Sequence, residues 1–570
     1  MKVIDFKDAK CRHCYKCVRY CEVKAISVQN EQAHIMEDHC IHCGQCLEVC
    51  PQNAKTFASD MERVKGYLQR GVRTVISLAP SYLSVLDFQQ PGQVVDALMR
   101  LGFDEVRETA EGAALVTEEY QKLLKSGQMT NIISTCCPSI NDLIEKYYPT
   151  LVPMMAPVVS PMIAHGRLIK QMYGPDVKVV FLGPCIAKKA EAVGDERVEG
   201  AINAILTFEE VIRWWREEGI RVEECEDKPM GNPDPGVNRL YPIGGGVITS
   251  VLTGGSEDHY EKFHAEGIKT CMELLDELTR GEVKGGFFEL NVCKGGCVKG
   301  PAAERWKRSM LKARLDLEHQ VKYKEEAVHI EHEPIPLNKV FEDRYIQDDQ
   351  PTERELTEVL RAMGKYTRQD ELNCGACGYA TCRAKAEAVF QGKAELSMCL
   401  PHAVAQAESM SNLVMDVTPN MIMIVDQDMR IRECNKRMLN KLGISREEAL
   451  ERYIFEFIEV EDIEKVLADK ESILRKRIQL DTLDIIAKET IVYIDSVDSA
   501  LVIYQDVSKE EKAREQHMNL KMETIDIAQK VIDKQMMVAQ EIAGLLGETT
   551  AETKVTLSKL RDSILDDGED

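Results

Sequence analysis

From about Val72 to Gln320, short apolar runs alternate with amphipathic segments. Four of the runs, RTVISLA (73–79), TNIIST (130–135), VKVVFLG (177–183) and AINAILT (201–207), have the length and β-branched content of buried strands. FEEVIRWWREEG (208–219) carries its apolar residues at helical spacing. The alternation predicts an α/β domain. Three of these strands run straight into loops holding Ala79-Pro80-Ser81, Cys136-Cys137 and Pro184-Cys185. Strand C-terminal ends are where α/β sheets place ligands. The run Gly244-Gly245-Gly246 lacks the frame of a phosphate loop and is expected to let backbone approach a bound group closely.

The pattern changes after Asn412. Residues 412–443 read as a helix, two strands around the turn Asp426-Gln427-Asp428-Met429, and an amphipathic helix; 491–508 add two closing strands around a polar turn. In the tail, apolar residues recur at a and d positions of a heptad from Met518 to Ile564, interrupted by Gln529, Thr550 and Thr553. This predicts a dimeric coiled coil, weakest near GETTAET.

At 570 residues the chain exceeds a single core and is multidomain. Its 72 basic and 95 acidic residues leave a net charge of −23, which disfavours nucleic-acid binding. No apolar run reaches the ~18 residues needed to cross a bilayer, so no membrane association is expected. The opening MKVIDFKDAKC leads directly into a cysteine motif with no signal peptide, which predicts a reducing cytoplasm.

The 20 cysteines sharpen this picture. Cys11, Cys14, Cys17 and Cys21, then Cys40, Cys43, Cys46 and Cys50, form two C-x2-C-x2-C-x3-C runs, the bacterial ferredoxin pattern in which each fourth cysteine serves the other cluster. One [4Fe-4S] cluster then takes Cys11, Cys14, Cys17 and Cys50, and the other Cys40, Cys43, Cys46 and Cys21. Zinc ribbons use cysteine pairs separated by a longer loop and fit less well. Cys374, Cys377, Cys382 and Cys399 resemble a single-cluster [4Fe-4S] domain, with zinc as the competitor. Four more, Cys137, Cys185, Cys293 and Cys297, lie in Gly/Pro-bearing loops spread over roughly 160 residues, so a site built from them requires a finished fold. Cys225, Cys271 and Cys434 have no cysteine neighbours and read as structural.

The loops STCCPSI, GPCIAKKAE and CKGGCVKG resemble the three cluster-binding signatures of [FeFe]-hydrogenases. The resemblance implies a [4Fe-4S] cubane on Cys137, Cys185, Cys293 and Cys297. Cys297 would link it to a two-iron unit carrying CO, CN and a bridging dithiolate. It further implies that Lys188 and Ala79-Pro80-Ser81 contact the cyanides, that Glu191 anchors Lys188, that Cys136 donates protons, and that Glu119 is the carboxyl nearest Cys136. The expected complement is four [4Fe-4S] clusters and one two-iron unit.

The departures are as telling. Ile140 stands where tryptophan is usual, Gly183 and Asn291 replace methionines, Met162 replaces a glutamine, the third loop continues KGPAA, and Lys122 and Ala156 replace a glutamate and a serine of the usual proton relay. An interrupted relay implies low turnover. The region after Asn412 resembles a PAS domain.

The resulting fold class is multidomain α/β and α+β: a ferredoxin fold (1–58), an α/β hydrogenase domain (59–345), a small [4Fe-4S] domain (346–405), a PAS-like α+β domain (406–508) and a coiled coil (509–570). That order is similar to a sensory [FeFe]-hydrogenase. Such a protein would react with H2 and protons, exchange electrons with a ferredoxin-like partner, form a homodimer and signal to a separate kinase or phosphatase. A metabolic ferredoxin-linked hydrogenase and a non-catalytic cluster scaffold are the rival readings.

Overall fold

The computed structural model describes the chain except residues 1–2, 7–9, 254, 256–257, 304–308, 322–327, 547–549 and 567–570. Two compact units divide it, Met1–His402 and Ala403–Asp570.

The first unit is organised around seven parallel strands: β1 (Thr74–Leu78), β2 (Glu105–Glu108), β3 (Ile132–Ile133), β4 (Lys178–Gly183), β5 (Ala204–Thr207), β6 (Glu261–Glu266) and β7 (Gly286–Asn291). They form one sheet of order β2-β1-β4-β5 and a second of order β6-β7-β3. All four apolar runs are strands, trimmed at their ends. β1 and β5 are buried along their whole length, which is why they read as continuous apolar runs instead of alternating ones. The FEEVIRWWREEG segment is helical over Phe208–Glu217, started by a capping box between Thr207 and Glu210. Four helices frame the loops: α1 (Ala110–Ser126), α2 (Pro138–Tyr147), α3 (Pro161–Tyr173) and α4 (Ala187–Gly194).

The N-terminal residues pair Ile4–Phe6 with Lys55–Phe57 and Ile26–Gln29 with Gln32–Ile35, each pair antiparallel. Gly44 has φ 76, and a Cβ there would lie 2.5 Å from Pro301 Cβ, so the Cys43 loop can approach the third cysteine loop only with glycine at this point. The Cys374–Cys399 segment packs on the same N-terminal region. Arg19 donates to the carbonyls of Ala376 and Cys14 (2.8 and 3.0 Å), and Lys24 to those of Gly378 and Val18 (3.0 and 3.1 Å).

The second unit contains a five-stranded antiparallel sheet ordered Ile431–Cys434, Met421–Asp426, Ser499–Asp506, Ile485–Ile494, Ile473–Leu480. Four of these strands match the sequence pattern. The fifth, Ile473–Leu480, is mostly exposed and its sequence ILRKRIQL carries no apolar alternation. Cys434 is buried at a strand end, and Cys225 and Cys271 are buried in the first unit. The tail departs from a single continuous seam: helix α5 (Ser508–Leu546) and helix α6 (Thr550–Asp566) contact each other. Seam positions Ile525, Gln529, Ile532, Met536 and Ala539 are half-buried, while Met518 and Met522 are exposed. Gly547, Glu548 and Thr549, within the GETTAET interruption, lie outside the described residues.

No described helix is long and apolar enough to cross a membrane.

Candidate metal centre

The loops that leave β1, β3, β4 and β7 converge on one cavity of about 110 Å3. Its wall includes Cys137, Cys185, Cys293 and Cys297, together with Cys136, Ala79, Pro80, Ser81 and Lys188. Among the described residues, no three His, Cys, Asp or Glu side chains close on a point as ligands of a single ion would. The four cysteines instead face a shared volume. Burial pushes the Cys185 thiol up to about 11 and those of Cys293 and Cys297 well above the usual range. Thiolates in such a site require positive charge from bound metal.

Local folding explains the placement. Cys137 is the N-cap of α2, with Pro138 at the first helical position. Gly296 has φ 74, and a Cβ there would lie 2.3 Å from the Pro242 carbonyl oxygen. The tight turn that brings Cys293 and Cys297 to the same wall therefore depends on glycine.

Lys188 sits on the first turn of α4 and is almost fully buried. Its Nζ donates to Glu191 Oε2 at 2.7 Å and to the Cys136 carbonyl at 3.3 Å, and Ser160 Oγ also donates to Glu191 at 3.0 Å. Burial works against its charge, yet the Glu191 carboxylate holds the ammonium above its ordinary value. Glu191 thus occupies the anchoring position expected from sequence. The Ser81 hydroxyl is buried and has no hydrogen-bond partner.

Cys136 departs from the expected relay. Its Sγ lies 3.3 Å from the Tyr120 hydroxyl, and burial pushes the thiol up to about 12. Tyr120 OH accepts from the Thr135 backbone N–H at 2.9 Å, and the Thr135 hydroxyl donates to the carbonyls of Ala156 and Val158. Glu119 lies apart from this group: it pairs with Lys122 at 2.6 Å, with the lysine exposed. One residue along α1 separates the two outcomes, because a helix turns 100° per residue and Tyr120 takes the inward face. Glu119 is therefore not the group next to Cys136; Tyr120 is.

The replaced positions are compensated. Phe181 lines the cavity beside Gly183, where a Cβ would meet its ring at 2.7 Å and Ala79 Cβ at 3.0 Å. Met162 and Asn291 line the wall. Asn291 Nδ2 donates to Glu289 Oε1 at 3.3 Å. Glu289 was not singled out from sequence, although it lies on the inner end of β7 four residues before Cys293. It is buried in the cavity wall and accepts from the N–H groups of Gly245 and Ile248, both at 3.0 Å. Burial raises its carboxyl to about 7 against those donors. The triple glycine serves this contact and close packing on Leu240 and Glu266.

The ferredoxin-type residues meet the same cavity through His42 and Cys43. Lys146 Nζ donates to the Cys40 carbonyl at 2.7 Å, Tyr147 OH to the His39 carbonyl at 2.7 Å, and His42 pairs with Asp142 at 3.2 Å. Cys11, Cys14, Cys17, Cys21, Cys46 and Cys50 lie around the two short N-terminal helices and their flanking loops. Cys374, Cys377, Cys382 and Cys399 line a separate small pocket.

Comparison with known proteins follows the same division. The model of the iron only hydrogenase large subunit, C-terminal domain, matches residues 72–301; a 4Fe-4S dicluster domain matches 10–54, an Fe-S cluster domain 370–401 and a PAS domain 410–478. Over 361 residues the chain is 29% identical to the periplasmic [Fe] hydrogenase large subunit of Nitratidesulfovibrio vulgaris, covering 52% of this chain and 85% of that protein. It is 25% identical over 307 residues to iron hydrogenase 1 of Clostridium pasteurianum, covering 44% of this chain and 53% of that one. It is also 22% identical over 232 residues to cytosolic iron-sulfur assembly component 3 of Mus musculus, covering 32% and 49%. The chain thus spans about half the length of two of these three relatives. Among solved structures, an [FeFe]-hydrogenase of Chlamydomonas reinhardtii aligns at 20% identity and TM-score 0.40, covering 46% of this chain and 88% of that one. The PAS domain of an HTR-like protein from Haloarcula marismortui aligns at 24% identity and TM-score 0.16, covering 18% and 98%. With a 4Fe-4S dicluster domain, the iron only hydrogenase domain, an Fe-S cluster domain and a PAS domain matched in that order along the sequence, the chain is similar to [FeFe]-hydrogenases and carries a PAS domain besides.

Proposed function

We propose that the chain reacts reversibly with hydrogen at low turnover and passes the resulting redox state to its PAS and helical region. The observation that carries this reading is the single buried cavity that gathers four cysteines, the Cys136 thiol, the Lys188 ammonium and the unpartnered Ser81 hydroxyl. A six-iron centre fits that donor set: soft thiolates for a cubane, and a charged donor plus a free hydroxyl for anionic diatomic ligands. Bound there, the two-iron unit with CO, CN and dithiolate ligands would supply the chemistry H2 = 2 H+ + 2 e−.

The protein's own part is positional. Lys188, fixed by Glu191, offers a permanently charged donor, and Ser81 offers a second. Cys136 is held as a neutral thiol, the form that can release a proton. Its further partners, Tyr120 and Thr135, lead only to backbone carbonyls, which supports slow turnover. Electrons would move through the Cys43 loop to the ferredoxin-type clusters and to a third cluster on Cys374, Cys377, Cys382 and Cys399. The last of these ligands is followed at once by a helix, Leu400–Val417, that leads into the PAS domain. A dimeric tail acting on a separate kinase or phosphatase completes the proposal.

Infrared spectroscopy of anaerobically matured protein tests it. Carbonyl and cyanide bands are expected, with Ser81→Ala moving the cyanide bands. A second reading, a cluster-carrying assembly factor, draws on the similarity to cytosolic iron-sulfur assembly component 3. Absence of those bands from cluster-replete protein would favour it.

A further inference from the structure

A second polar chain leaves the cavity wall and runs into the sheet. Thr109, at the end of β2, lines the cavity, and its hydroxyl lies 2.8 Å from Ser77 Oγ on β1. Ser77 Oγ lies 2.7 Å from His165 Nδ1 on α3, and His165 Nε2 lies 3.1 Å from Glu111 Oε2 on α1. Arg107 closes the far end with two bonds to Glu111, 2.6 and 3.0 Å. Ser77, His165 and Glu111 are all buried. The helices cross closely to permit this: a Cβ on Gly112 would lie 2.6 Å from His165 Cβ.

Donor and acceptor roles fall into one order. The Glu111 carboxylate only accepts, so Nε2 carries the imidazole proton and Nδ1 accepts from Ser77, which in turn accepts from Thr109. Such a row can hand a proton along by exchanging bonds. Among the described contacts of the Cys136 thiol, by contrast, the path through Tyr120 and Thr135 ends on the carbonyls of Ala156 and Val158.

We propose that Thr109, Ser77, His165 and Glu111 form a dead-ended proton wire that stores one proton drawn from the cavity. This rests on the hydrogenase reading above and names where its proton goes. In the transfer, Thr109 takes a proton released in the cavity and gives its own to Ser77, and Ser77 gives its own to His165 Nδ1. Three bonds to hydrogen form and three break, with no change of oxidation state. The imidazolium is paired with the Glu111 carboxylate, itself shared with Arg107, against burial that holds the His165 imidazole below its ordinary value, so the proton is held only until the cavity takes it back. The groups that face it are Glu111 and, through it, Arg107; Ser77 is the neutral neighbour. Arginine does not give up its proton at physiological pH, so the wire ends there. A one-proton store serves a single event of detection better than continuous turnover.

The test uses the full chain with histidine isotopically labelled. Without the two-iron unit and with the accessory clusters oxidised, nitrogen NMR should show one neutral histidine, missing in His165→Gln, that is protonated on Nε2. In matured protein, hydrogen-minus-argon infrared difference spectra should show a histidine becoming imidazolium in wild type and not in Ser77→Ala, with carbonyl and cyanide bands unmoved. Hydrogen-driven cluster reduction in Ser77→Ala should slow about tenfold or more. An Nδ1-protonated His165, or equal imidazolium formation in Ser77→Ala, would overturn the wire. Missing carbonyl and cyanide bands in wild type would instead overturn the hydrogenase reading, and the NMR tautomer would still decide whether the wire is arranged as stated.

Discussion

Replacing Lys188 by methionine should expose how strongly the cavity depends on one ion pair. The substitution roughly preserves volume while stranding Glu191, whose carboxylate is buried and otherwise accepts from Ser160. Breaking a buried pair from one side costs about 3–5 kcal/mol, because the remaining charge loses its counterpart. That is a hundredfold to a few-thousandfold shift of the folding equilibrium. Lys188→Met with Glu191→Gln removes both charges, and should recover most of the loss. The pH dependence has a definite sign. An unpaired buried carboxylate takes up a proton more readily than the same group in the unfolded chain, so the single variant should be least impaired near pH 4 to 5 and most impaired above about pH 7. Urea midpoints from tryptophan fluorescence, on protein lacking the two-iron unit, measure this, with a shift of roughly 1 M or more expected for the single variant. Additive losses in the double variant would refute the coupling and mean that the Lys188–Glu191 contact contributes little.

Other expectations follow from the same geometry. Cys136→Ala should reduce hydrogen turnover by about a hundredfold or more while leaving the infrared carbonyl bands in place; an unaffected rate would remove Cys136 from proton transfer. Gly183→Met should destabilise the hydrogenase domain by about 1–3 kcal/mol through collision with Phe181 and Ala79, read as a lowered melting temperature, and pairing it with Phe181→Ala should relieve the clash. Glu289, raised by burial to about 7, should show a protonated-carboxyl infrared band at about pH 6 that fades by about pH 8 and is absent in Glu289→Gln; a band missing at both pH values would contradict the buried, near-neutral titration. Metal analysis of anaerobically purified protein should give iron and no stoichiometric zinc, and Cys374→Ala should remove about four irons; zinc lost with Cys374 would reassign that site.

Much of the cavity was legible because its chemistry is written in loops with fixed spacing. Cys137, Cys185, Cys293, Cys297, Lys188 and Ser81 are each tied to a local motif, and the apolar runs before them are strands. Tyr120 and Glu289 were not, for different reasons. The choice between Glu119 and Tyr120 depends on the rotation of α1 about its axis, which a one-residue ambiguity in alignment reverses. Glu289 stands in GFFELN, a run buried along its length, where one carboxylate looks like an exception until backbone N–H groups from Gly245 and Ile248 are brought to it. His165 is similar: its partners come from β1, β2 and α1, and no linear spacing predicts their meeting. In the tail, heptad periodicity marked helix, but the contact between α5 and α6 leaves no signature in the a and d pattern.

Helix α2 joins Cys137 at its first turn to Lys146 and Tyr147 at its last, and these grip the Cys40 loop. Ten residues of α-helix measure about 15 Å. One short, stiff rod therefore ties the wall that carries Cys137 to the loop that carries Cys40, and Cys43 of that loop lines the cavity itself. In the function proposed above, the spacing between the two cysteine sites is thus held by a covalent length, and a residue inserted into α2 would disturb it directly.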